Sequence, residues 1–472
     1  MATVSIYHKT RDKVVLFSTS DLSRRTSFIL IMIFSTIFVL DSAIVKFSSF
    51  SGTSLPTFSN VAIFVMFFII FAVASFLLIK SVRKLVHKYE YKLALPFHPT
   101  LLYYMISITL LSTFVIILAI ILQITLLNEY SLFLLRAQTY ISHLSALVFL
   151  SLLIFLFVRW STSRRNYPLV LCSASLSLLS LALIISLIYL DSNFSSRPSS
   201  VRPISINFYI SCCVGGSPFT ESLSTIFDIL SLSSFLLMWI ATTILLNQYR
   251  YRMGGLKYFS VVCIPLIYYI FPFQGYFGDA LFPLLVSSPL IFSTIYVLIF
   301  SATKQVGAVF FGLSFWFASG LVYDDRVRKS LLVSSIGMVI LFSSIALAPL
   351  QYSLYPPYGL ITEAFIPLGA YLLLVGIFTS AIHVSRDATI RRELYRSAIK
   401  QLDLLRSIGT SEMEKEFEGR VKYLEKVHRI SDIPDRSKIA EEIDVENVKK
   451  ILHEVLEEVH SKDRKKEAGH PT

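Results

Sequence analysis

Charge is scarce in this chain: only 16% of its 472 residues are Asp, Glu, Lys or Arg, against about a quarter in soluble domains. Histidines number 9, and no two stand four apart around a glutamate, so the zinc-peptidase helix is missing. There is no glycine-rich phosphate loop and no Gly-x-Ser-x-Gly elbow. The 4 cysteines do not form a framework either. Cys172 and Cys263 sit inside apolar runs. Cys212 and Cys213 are adjacent, read as a disulfide or free thiols, and supply at most half of a four-ligand metal site. Gly275, Gly278 and Asp279, with Asp324 after Tyr323, approach the two-aspartate pattern of intramembrane proteases, but Tyr276 breaks the motif and Asp324 lies in a charged loop. No catalytic residue, metal ligand or cofactor is therefore assigned, and the sequence points away from an enzyme without deciding the matter.

What the chain has is apolar length. Its residues are 54% hydrophobic with a mean hydropathy of +0.65. About 20 apolar residues suffice to cross roughly 30 Å of hydrocarbon. Stretches of that kind occur at 28–46, 60–79, 101–126, 141–158, 169–190, 223–246, 258–273, 281–302, 306–322, 331–350 and 363–383. The sequence thus specifies an all-α, polytopic transmembrane helix bundle with 10–11 hydrophobic segments. Residues 1–27 form a basic leader, 28–383 the bundle, and 384–472 a helical or coiled-coil tail.

The formal charge of +12 is not a nucleic-acid signal. The tail holds 19 basic and 19 acidic residues, so the whole excess belongs to the membrane part. There the cations gather at Lys9–Arg25, Lys80–Lys92, Arg159–Arg165, Arg250–Lys257 and Arg326–Lys329, in alternate loops. Cytoplasmic loops collect Lys and Arg, which puts the N-terminus inside. To bring the tail inside as well, the three runs between Lys257 and Asp324 must cross an even number of times. The run 258–273 is short, contains Pro265 and Pro272, and leads into Phe273-Gln274-Gly275-Tyr276-Phe277-Gly278. It is expected to be broken or re-entrant, giving ten spans with both termini cytoplasmic.

The tail carries amphipathic stripes: Ile390, Leu394, Ala398, Leu402, Leu405 and Ile408, then Met413, Phe417, Val421, Leu424 and Val427. Gly409 offers a helix stop, and Ser411 with Glu414 a capping box for the next helix. Such stripes require a protein partner or self-association. The runs Tyr355-Pro356-Pro357-Tyr358-Gly359 and Ser407-Ile408-Gly409-Thr410-Ser411-Glu412-Met413-Glu414 resemble a multi-pass membrane family of ammonia-oxidising archaea. The likeness spans about the last third, from near Gly312 to Val427. It implies an archaeal plasma membrane and carries no activity.

Ionisable residues inside a membrane are costly and mark functional candidates. Asp41 falls in the first run, Asp228 two turns into the sixth and Asp279 beside the glycines of the proline-rich segment, and these three are the candidate ligand or ion residues. Lys46, His143 and Glu363 near span ends complete the group. Serines crowding 173–186 read as a close helix-packing surface. Three function classes follow: a sensor or signalling bundle passing a change through the last span to the tail, a secondary transporter using the proline-broken segment, and a scaffold docking a partner on the tail.

Overall fold

The computed structural model of the chain describes residues 23–51, 57–87, 99–163, 166–195, 199–201, 218–247, 254–270, 301–322, 324–347, 355–386, 405, 407–413 and 415, with single residues at 250, 288, 291, 294, 295, 297 and 299. Its helices are α1 (Arg24–Ser51), α2 (Thr57–His87), α3 (Pro99–Leu127), α4 (Leu132–Ser163), α5 (Tyr167–Ser195), α6 (Pro218–Leu246), α7 (Gly255–Ile270), α8 (Thr303–Ser319), α9 (Asp325–Leu347), α10 (Leu360–Ala364) and α11 (Ile366–Arg386). A two-residue ribbon pairs β1 (Tyr130–Ser131) antiparallel with β2 (Ser200–Val201), Tyr130 opposite Val201. Nothing in the sequence pattern announced this ribbon, and the alternating stretch Ile204–Ile210 lies outside the described residues.

Among the described residues eight helices are long and apolar enough to cross a bilayer: α1 to α6, α9, and α10 continuing into α11. They occupy eight of the eleven expected runs. Local signals set their starts. Ser23 and Thr26 cap α1 reciprocally, each backbone N–H donating to the other's hydroxyl at 3.1 and 3.2 Å. Asp324 Oδ1 accepts the N–H of Arg326 and Val327 at 2.8 and 2.9 Å and caps α9.

The expected break does not fall at Pro265: α7 is one helix from Gly255 to Ile270 with Pro265 inside it, and Pro272 lies outside the described residues. A membrane helix tolerates proline where neighbours supply the missing partners, and here α6 lies alongside. Tyr258 OH donates to Thr243 O (3.1 Å), Trp239 Nε1 to Val262 O (2.9 Å), and Ser231 Oγ meets Tyr269 OH (3.2 Å), so α7 runs antiparallel to α6. The chain returns through α8, whose far end joins the start of α1. Trp316 Nε1 donates to Arg24 O (3.0 Å) and the Arg24 guanidinium lies 4.3 Å over the Trp316 ring. Immediately before α8, a turn at Ser301 and Ala302 interrupts helical backbone that includes residues 297 and 299.

The centre is the pair α9 and α11. Their backbones touch where side chains are missing. A Cβ on Gly337 would lie 2.5 Å from Leu373 N, and one on Gly376 would lie 2.6 Å from Ser334 N. Phe365, at the joint of α10 and α11, meets Phe34, Phe38 and Phe71 edge-on at centroid distances of 5.5, 5.6 and 4.8 Å, which ties α1 and α2 to the same centre. On the flank, Ser175 and Ser234 exchange hydroxyl-to-carbonyl bonds of 2.7 and 2.8 Å between α5 and α6. The serine-rich face is therefore a packing surface, with Ser175 at its contact.

The chain divides into two compact units, Met1–Glu412 and Met413–Thr472. The first includes a helical segment at 407–412 folded onto the bundle, which corrects the reading of Gly409 as a helix stop. Gly409 lies within this helical segment, and Val384 of α11 occupies the space a side chain would need there, its Cγ1 only 2.2 Å from the Cβ position. Ser411 Oγ donates to Trp160 O (3.3 Å) instead of capping a new helix.

Candidate buried polar site

The first carboxylate candidate, Asp41, is 3% exposed and faces the turn that leads into α10. Gly359 adopts φ 87°, the left-handed region that glycine enters without a Cβ clash, and turns its N–H toward Asp41 Oδ1 (3.4 Å). Thr362 Oγ1 donates to Asp41 Oδ2. The carboxylate is thereby engaged across the bundle; the Lys46 side chain lies outside the described residues. Tyr358 OH donates to Asn60 O (2.8 Å), fastening the same turn to α2. Burial, and then the nearby Asp41 carboxylate, hold the Tyr358 hydroxyl above its ordinary range, so it stays a neutral donor.

On the next residue α10 presents a second carboxylate to another helix. Glu363 is 0% exposed, and its Oε1 lies 2.9 Å from His143 Nδ1 of α4. The same Nδ1 lies 2.9 Å from Thr139 O. A single N–H serves one acceptor well, and with the hydrogen directed at Thr139 O, Glu363 Oε1 receives none. Glu363 Oε2 accepts from Thr139 Oγ1 at 3.4 Å, and His143 Nε2 is 3.4 Å from Ser186 Oγ of α5. Nδ1 thus stands at equal distance from two acceptors, Thr139 O and Glu363 Oε1, and its one N–H leaves the other without a donor. One turn earlier on α4, Gln138 Nε2 donates to Thr113 Oγ1 (3.2 Å) and Ser142 Oγ (2.8 Å).

Of the sequence candidates, the structure brings together Asp41, His143 and Glu363 around one turn. Asp228 is half-buried on α6, under the influence of the Lys304 ammonium at the start of α8, and belongs to a separate place. Lys304 Nζ also stands 4.4 Å over the Tyr269 ring. Asp279, Cys212 and Cys213 lie outside the described residues. Among the described residues no three of His, Cys, Asp and Glu gather as metal ligands. The Thr362 and Gln138 contributions were missed in sequence reading, since a buried threonine or glutamine in a helix has no local signature.

The opposite end of the bundle, which carries Arg24, Arg159 and Arg326, holds the folded-back segment. Glu412 accepts from Trp160 Nε1 (2.8 Å) and faces Arg159 (3.5 Å), and Asn166 Nδ2 donates to Ser407 Oγ (2.7 Å). Leu405 and Ile408 of the first tail stripe are buried. Comparison with known protein families, characterised proteins and solved structures finds no match.

Proposed function

We infer that this protein is a membrane-embedded sensor in which protonation at the Asp41, His143 and Glu363 cluster shifts α11 and so changes the packing of the segment 407–412. The observation carrying this reading is that one span touches both places. α10 carries Thr362 and Glu363, and α11, which continues it, ends with Val384 packed on Gly409. Nearly nine-tenths of the α10–α11 span is buried. A closely packed rod between two polar sites has discrete arrangements available to it, which is what coupling requires. Asp41 and Tyr358 stand at the turn that leads into α10, and Arg136 pairs with Asp191 farther along α4 and α5.

In this reading the arginine-bearing end is cytoplasmic, the membrane is an archaeal plasma membrane, and the tail beyond 413 engages a protein partner or a second copy of itself. The test is hydrogen–deuterium exchange on the full chain in lipid nanodiscs. Exchange at 405–412, corrected for intrinsic rates, should differ several-fold between acidic and neutral pH. Glu363→Gln should fix it in one state. Protection of 405–412 that ignores both pH and Glu363→Gln would sink the sensor.

Secondary transport is the second reading, favoured by the interruption at Ser301 and Ala302 beside Lys304 and Asp228, since broken helices build substrate sites in transporters. It expects solute flux in proteoliposomes that Asp228→Asn abolishes while the pH response of 405–412 is retained.

A further inference from the structure

A second polar locus lies apart from the carboxylates. Gln305 of α8 is 1% exposed, and among the described residues neither its Nε2 nor its Oε1 has a partner. Ser301 and Ser343 are likewise buried with hydroxyls unpartnered among the described residues, and so is Ser42 of α1. Buried polar groups in folded proteins are almost always bonded, and an orphaned amide bears its full desolvation cost.

Register brings these four to one depth. Gly312 of α8 sits against Ser335 and Val339 of α9, with Ser335 Oγ donating to Gly312 O at 2.6 Å. Two turns back along α8 is Gln305, and two turns on along the antiparallel α9 is Ser343. The Phe311 and Phe342 rings, 5.0 Å apart, span the same interface. Ser42 follows Arg24 by about five turns, so it stands on the α1 face that Arg24 turns to Trp316 and at the level where α8 is interrupted at Ser301. An interruption at that depth persists only where its freed groups are satisfied.

We propose that Gln305, Ser301, Ser343 and Ser42 line a buried chamber that holds a small uncharged hydrogen-bonding molecule, water foremost. The orphaned atoms are three hydroxyls and one carboxamide, which together donate and accept but carry no charge. The neighbouring charges are already engaged, Asp41 by Thr362 and Gly359, and Lys304 by the Tyr269 ring. The four orphaned groups bring no charge of their own to offset the desolvation of an ion. A neutral molecule with donors and acceptors satisfies several orphans at once.

The test uses the full chain in nanodiscs, with pulsed X-ray radiolysis in water enriched in oxygen-18. Radiolysis of a bound water oxidises the side chains beside it. Phe342 should be labelled several-fold more than the equally enclosed Phe68, with oxygen-18 in the product, and Gln305→Leu or Ser343→Ala should reduce it to the Phe68 level. Two substitutions are used so that the failure of one to fold leaves the other. Phe342 without label but with non-protein density against the Gln305 amide in a high-resolution map identifies a solute other than water and supports the chamber. Absence of both label and density overturns it, and Gln305→Leu should then melt several degrees higher than the parent, as expected for a dry orphan replaced by hydrocarbon.

Discussion

The six spans α1 to α6 and the two that follow α8 solve the membrane problem in opposite ways. In the first six, between 33% and 44% of the apolar window is buried, whereas in α9 and in α10–α11 the share is 89%. Helices at the periphery face lipid on most sides, so exposed leucines and isoleucines such as Leu111, Leu122 and Ile108 are correctly placed there. Helices at the centre face protein, and they can carry Ser334, Ser335, Ser344, Thr362 and Glu363 at full burial. Lipid tails are as apolar as leucine, so little hydrophobic force draws spans together; close packing and interhelical hydrogen bonds do it instead. The central pair is accordingly the less apolar one, with α9 the least apolar of all eight spans. In this bundle, polarity marks the middle.

That contrast breaks most sharply at a glycine. Gly376→Leu pushes a side chain into the backbone of α9 at Ser334 and should cost about 3 kcal/mol or more, seen as loss of monodisperse protein or a melting point lowered by many degrees. A Gly376→Leu protein as stable as the parent would show that α9 and α11 are not in contact.

Next in size is the buried pair. His143→Ala leaves the Glu363 carboxyl without its partner and should cost about 3–5 kcal/mol. Once Glu363 is already replaced by leucine, the same substitution should cost far less. A double-mutant cycle in a defined detergent reads this coupling directly, and additive effects would dissolve the pair.

Phe365→Ala removes a ring held edge-on by three others and should cost about 3–5 kcal/mol. Phe133→Ala, at a ring 73% exposed, should stay within about 0.5 kcal/mol. Thermal melts of the two variants measure the difference between centre and rim with the same chemical change.

The smallest effect belongs to the flank. Ser175→Ala removes one donor of the reciprocal pair with Ser234 and should cost about 0.6 kcal/mol. A loss comparable to that of His143→Ala would mean that α5 and α6 belong to the centre.

Much of this plan was legible before any coordinates. Run length and apolar content located eight spans, although the expected 141–158 starts well inside α4 (Leu132–Ser163), because crossing a bilayer is a local requirement on some 20 consecutive residues. One element was misjudged. Pro265 was read as a break, yet α7 continues through it because α6 lies alongside, a fact of packing that no window of sequence contains. Gly409 was read as a stop for the same reason: the sequence shows a glycine, and only the fold shows Val384 in the space above it.

The candidate site divides likewise. Asp41, His143 and Glu363 stood out singly, since an ionisable residue within or beside an apolar run is conspicuous. Their assembly around one turn was invisible, because 220 residues separate His143 from Glu363 and helical periodicity says which face a residue occupies, never which helix it meets. By itself the sequence determined that this is an all-α bundle of membrane-spanning helices, because the bilayer imposes that choice on each segment separately. Only the tertiary structure decided which helices form the centre, which carboxylate meets which partner, and where the chain folds back, since those depend on contacts between segments whose apolar faces are chemically alike.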